Sequence, residues 1–132
     1  SDWLAQHPPP DPAAQAGIAD PGQRARALLG ALYAYYRGTA PMWRLVYRDL
    51  DDVPALQGPI REFEQYLESV RTALIDCCTG GSAGPGRRLA AILAHAVTFD
   101  CWQSLAAGGL GDTEIAELVA LWARAVTGEQ AA

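Results

Sequence analysis

Two histidines and three cysteines are the side chains in this sequence best suited to nucleophilic or metal chemistry, and their spacing supports neither. His95 and Cys101 are six residues apart. On a helical wheel that sets them about 120° from each other, and no third residue is placed to orient the imidazole. Cys77 and Cys78 are adjacent, not in the Cys-x-x-Cys arrangement that lowers a thiol pKa for redox exchange, and they have no local base. His7 and His95 stand far apart, whereas a metal site needs several ligands one helical turn apart or in paired loops. The acidic pair Asp51-Asp52 falls at a helix junction, where capping and solvation account for it. The glycines from Gly80 to Gly86 follow no strand and lack the lysine of a phosphate-binding loop. The reading is therefore of a protein that is not an enzyme and uses neither metal nor cofactor.

The remaining chemistry is apolar recognition. Pockets between helices are lined by apolar and aromatic groups, with a few polar ones for orientation. Tyr36, Met42, Trp43, Tyr47, Phe63, Tyr66, Val70, His95, Phe99 and Trp102 form the candidate set, which implies a flat or greasy ligand. No arginine cluster converges on a phosphate site. His95, one and two turns from Phe99 and Trp102, would orient a ligand by hydrogen bonding; the alternative is a core histidine satisfied by a carbonyl or a tyrosine hydroxyl. Trp43 and Tyr47, four apart, form a stacking wall if that side faces inward, or are ordinary core or surface. Phe63 and Val70 belong to a helix's core stripe first.

These side chains must be positioned by helices. Twenty-five alanines and fifteen leucines with few β-branched clusters point to an all-α chain. His7-Pro8-Pro9-Pro10-Asp11-Pro12 cannot be helical, because each proline disfavours helix in the residue before it. Residues 1–19 are read as an extended Pro-rich connector with a short turn near Ala13–Ile18, and residues 20–132 as the domain proper. Asp20-Pro21-Gly22-Gln23 is a helix start. The helix it opens is expected to end near Gly38, and Thr39-Ala40-Pro41 to restart one through Leu50. Leu56, Ile60, Phe63, Leu67, Val70, Leu74 and Cys77 step by four and three, with Gly58-Pro59 predicting a kink or restart. Thr79 to Gly86 reads as a mobile loop. Arg87 to Ala107 reads as a single helix, apolar all round. Leu110-Gly111-Asp112-Thr113-Glu114-Ile115 then predicts a staple across a glycine N-cap, and a last helix through Thr127.

Size and charge narrow the class. The chain has 132 residues and 14.1 kDa, enough for one core. All ten basic residues are arginine and the net charge is −5, which repels nucleic acid and anionic lipid. No apolar run reaches the roughly 20 residues of a bilayer span. The odd cysteine count argues for a reducing compartment, so the expected location is cytoplasmic. Ser1 is not an initiator methionine, which suggests a trimmed start or a piece of a longer chain.

On a continuous 87–107 helix, Ile92, His95, Phe99 and Trp102 share one side, and Leu89, Leu93, Ala96, Asp100 and Ala107 the other. The last helix adds a wide apolar face of Ile115, Leu118, Val119, Trp122 and Val126. One short chain has too little material to cover both, so a second copy joined through these two helices as a four-helix bundle is the expected solution. Asp100 would need a partner there. The alternative is a monomer whose first long helix covers that side.

Leu29–Met42 (LGALYAYYRGTAPM), Arg48-Asp49-Leu50, Ala96–Leu105 (AVTFDCWQSL) and the turn Gly109-Leu110-Gly111-Asp112 resemble, in order and spacing, the effector domain of the TetR-type bacterial transcriptional regulators. The similarity runs from Trp3 and the His7–Pro12 connector to Gly128. It implies a five- to six-helix C-terminal domain that binds a hydrophobic or aromatic effector. It also implies homodimerisation through the last two helices, and a change in the spacing of DNA-binding heads when ligand binds. Nothing before Gln23 could hold the roughly 45–50 residues of a three-helix head. The chain is therefore expected to be the sensing half, touching operator DNA only through a missing head. The competing expectation is a helical protein-interaction module with a packed core and no small-molecule ligand.

Overall fold

Asp20 opens the longest element: its carboxylate accepts the Gln23 N–H at 2.8 Å, and Pro21 takes the first helical position, where no N–H is needed. The computed structural model describes residues 2–81 and 84–131. Helix α1 (Asp2–Gln6) precedes the proline segment, α2 spans Pro21–Asp49, a 3-10 turn at Pro54–Leu56 leads into α3 (Gln57–Thr79), and α4 (Gly86–Ala96), α5 (Phe99–Ala107) and α6 (Asp112–Ala131) follow. The described residues are all-helical, with six helices packed together and no strand. Residues 82 and 83 of the expected loop, and residue 132, lie outside them.

Helix α2 corrects the expected break at Gly38. It runs through Pro41, whose ring removes one helical hydrogen bond at a cost of about 3 kcal/mol. Burial on both sides of the proline offsets that cost: Leu32, Tyr33 and Tyr36 before it, and Ala40 and Trp43 around it, are all 0–4% exposed, while Pro41 itself faces outward. Pro59 likewise makes no restart. It occupies the first turn of α3, where backbone donors are free in any case. The α3 stripe forms as its period predicts, burying Ile60, Phe63, Leu67, Val70 and Leu74. Gly80, at φ 66, closes the helix in the left-handed conformation and donates to the Asp76 carbonyl at 2.9 Å.

The expected single 87–107 helix is two helices bent by 70°. Thr98 makes the break: its hydroxyl caps α5 by accepting the Cys101 N–H at 3.2 Å, and donates back to the His95 carbonyl at 2.7 Å. Two carbonyls at the bend are taken by tyrosines of α2. The Tyr33 hydroxyl donates to Ala96 at 2.8 Å and the Tyr36 hydroxyl to Val97 at 2.5 Å, both in the buried core. A kink that left these groups unpaired would cost about 1–3 kcal/mol for each.

The expected connector also changes. Residues 2–6 are helical, and the segment after them is pinned to the bundle rather than merely extended. The Tyr35 hydroxyl donates to His7 O at 2.9 Å, the Tyr66 hydroxyl to Pro10 O at 2.5 Å, and Arg24 to Ile18 O at 2.8 Å. The turn expected near Ala13–Ile18 is present, closed by Ala16 N–H to Ala13 O at 3.1 Å and Ile18 N–H to Gln15 O at 3.0 Å.

Helix α6 lies against α2, α4 and α3. Its inner strip is Ile115, Ala116, Val119 and Ala123, and Gly111 caps it as predicted, with the Ile115 N–H on Gly111 O at 3.0 Å. Here the assignment of faces needs correction. Leu89, Leu93, Ala96, Ile115 and Val119, expected at a dimer interface, are 0–1% exposed within one chain. The 29-residue α2 supplies the cover that a broken, shorter first helix could not.

Candidate functional site

The aromatic residues singled out from the sequence converge, but on one another. Phe63 is their centre: Trp43 lies tilted against it at 4.3 Å between centroids, Tyr66 tilted at 5.5 Å and Tyr36 edge-on at 6.1 Å. Tyr36 also meets Phe99 at 5.5 Å, and Phe99 meets Trp102 at 5.6 Å. Tyr36, Trp43, Phe63, Val70, Phe99 and Trp102 are buried, Met42 and Tyr66 half-buried, and Tyr47 is 39% exposed at the edge, stacked on Trp43. Burial pushes the Tyr33, Tyr36 and Tyr66 hydroxyls well above the usual phenol range, and that of Tyr47 up to about 12, so all four remain neutral donors. The geometry is that of interdigitated rings in edge-on and offset contact.

His95 is not among them. The 70° bend carries it away from Phe99 and Trp102 onto the exposed side of α4, so the face it was expected to share with those rings does not exist. Ile92 goes with it, half-buried. Asp100 and Ala107 lie on the exposed side of α5.

Trp102 is held by a polar clamp across three helices. Its indole N–H donates to Asp112 Oδ1 at 3.0 Å, Arg37 bridges to the same carboxylate at 3.0 Å, and the guanidinium lies 5.3 Å from the indole centroid. Burial alone would raise the Asp112 pKa. The hydrogen bonds from Arg37 and Trp102 outweigh it and hold the carboxyl below its usual range.

Beside the rings, Tyr47 borders an open polar groove of about 390 Å³ with Arg61, Glu64 and Arg71; a more apolar space lies at the other end of the bundle. A cleft of about 170 Å³ is enclosed by the start of α2, the end of α3, α4 and the second half of α6. Leu29, Leu74, Leu93, Val119 and Ala123 line its wall, Cys77 and Cys78 one side, and Arg26 and Arg124 its rim. The three cysteines are free thiols, and burial, with Cys77 next to it, pushes the Cys78 pKa upward. None of the ten residues proposed from the sequence lines this cleft. They were chosen as large aromatic groups, whereas space survives where side chains are small or stop short. The available signals were the Cys77 at the end of the α3 stripe and the alanines of α6, Ala116, Ala120 and Ala123, whose spacing gives that helix a thin inner face.

The outer face of α6 carries Leu121, 55% exposed, beside half-buried Leu118, Trp122 and Val126. Among the described residues no group of three or more metal-ligating side chains occurs, and no single helix is long and apolar enough to cross a membrane. Compared with protein-family models, curated proteins and solved structures, the chain matches none.

Proposed function

We propose that this chain is the small-molecule-sensing and dimerisation domain of a TetR-type transcriptional regulator. The observation that carries this reading is the apolar cleft between α2, α3, α4 and α6, open beside a core that is otherwise interlocked. Its ligand is a small molecule with an apolar body. The cleft adjoins Pro21 and Gly22, the start of α2, and so neighbours the pinned segment that leads back to α1. A ligand that prefers one position of α2 by about 1–3 kcal/mol would provide useful coupling along that route. Operator DNA is contacted through a head outside this chain, since an acidic domain offers it no surface. Homodimerisation uses what the fold leaves uncovered, the Leu118, Leu121, Trp122 and Val126 face of α6 together with Ala107 and Asp100 on α5. A continuous apolar stripe on a terminal helix suits a self-complementary contact.

A second reading, a helical interaction module without a small-molecule ligand, is favoured by the mutual packing of Trp43, Phe63, Phe99 and Trp102. Native mass spectrometry of the purified chain separates the two. The sensor reading expects twice 14.1 kDa with an adduct on the order of a hundred daltons. A bare monomer that takes up no small molecule would overturn it in favour of the interaction module.

A further inference from the structure

We infer that the cleft between α2, α3, α4 and α6 binds a small organic monocarboxylate, with its apolar body among Leu29, Leu74, Leu93 and Val119 and its carboxylate between Arg26 and Arg124. The inference rests on the sensor reading and names its ligand class. Size comes first: an apolar cavity of about 150 Å³ takes up one benzene ring, and this one holds about 170 Å³. The body is therefore a single ring or a short acyl chain.

Charge comes second. Among the described residues no carboxylate side chain lines the cleft, whereas Arg26 and Arg124 do. Five of the other eight arginines are engaged: Arg37 with Asp112, Arg48 with Asp49, Arg71 with Glu68, Arg44 with Gln103 and Arg24 with a carbonyl. Among the described residues Arg26 and Arg124 make no ion pair or hydrogen bond. Asp20 is the nearest competitor, since its Oδ2 and the Arg26 Nη1 both come within 3.3 Å of where a Gly22 side chain would begin. That carboxylate is instead committed to capping α2. The half-buried Cys78 thiol, its pKa pushed up by burial, adds no opposing charge. In a chain of net charge −5, two unengaged cations at the mouth of an apolar space favour an anion with a greasy body over a neutral or cationic one. The planar fork of arginine fits a carboxylate in two-point contact.

The test is an NMR titration of the whole chain with benzoate, hexanoate and the neutral isostere benzyl alcohol, repeated on Arg26→Gln, Arg124→Gln and the double variant. Both arginines lie at the rim, and the amide spectrum away from the cleft checks that each variant keeps its fold. The expected result is that both acids shift the amides of Ala25, Leu74 and Ala123, with benzoate about tenfold tighter than benzyl alcohol. The double variant should bring benzoate down to the alcohol and leave the alcohol unchanged. Equal binding of acid and alcohol, or acid binding indifferent to both arginines, would overturn the charge assignment while the sensor reading stands. If no probe binds but the purified chain carries an adduct in native mass spectra, only this inference fails. If no probe binds and no adduct is found, both fail.

Discussion

The two ends of the helical bundle solve the same packing problem in opposite ways. Around Phe63, helices α2, α3 and α5 contribute large rings that meet at 4.3–6.2 Å, and the tyrosine hydroxyls left over are used to bind the carbonyls of the α4–α5 bend. Around Leu93, the same α2 and α3 continue with leucines, alanines and cysteines, and an apolar space remains with arginines at its rim. The difference teaches where to look for binding in a helical domain. A concentration of aromatic residues marks the part that is most completely packed. Space is left where helices with thin faces are held apart by something else, here by the aromatic block itself.

The sharpest way to break this comparison is to empty the aromatic block. Phe63→Ala should cost about 3–5 kcal/mol in denaturant unfolding, because its neighbours are held on every side and cannot collapse into the void. A loss near 1 kcal/mol would mean that the block is loosely packed. Next comes the bend. Tyr36→Phe keeps the ring but leaves the Val97 carbonyl unpaired in the core, so a loss of about 1–3 kcal/mol is expected. Its amide-exchange signature should be faster exchange confined to residues 94–102; uniform loss across the chain would separate the tyrosine from the bend. The smallest effect sharpens the contrast by making one change in both regions. Ala40→Leu, beside the rings, should cost about 1–3 kcal/mol by overpacking, whereas Ala123→Leu, facing the cleft, should cost less than about 1 kcal/mol because its methyl groups enter existing space. Equal costs would remove the distinction between a filled end and an open one.

Much of the fold was legible because it depends on local rules. The α3 stripe, the Asp20-Pro21 start, the Gly111 cap and the turn after the prolines each follow from residues within one or two turns of one another. The errors share a cause too. At Pro41 local preference predicts a break and across 87–107 apolar periodicity predicts a single helix, and in both places the other outcome is supported by contacts with α2. Its buried residues carry the helix through the proline, and its tyrosines take the carbonyls that a bend in the next helix pair exposes. Of the site, the sequence supplied the aromatic residues that meet around Phe63. Most of the residues it singled out pack on one another, since residue type reveals what can line a pocket and not whether neighbours have already filled it.

By itself, then, the sequence determined an all-helical chain, most of its helix starts, the inner stripe of α3 and the residues available to a core. Those follow from periodicity and capping, which act over a few residues. Only the tertiary structure decided that α2 is continuous, that the central helix bends by 70°, and that Leu89, Leu93, Ala96, Ile115 and Val119 are covered within one chain. It alone left an apolar space beside Cys77 and Ala123. These outcomes depend on contacts between residues about 60 apart in the chain, such as Tyr36 with Val97, where packing of whole faces outweighs the few kcal/mol by which any local preference can object.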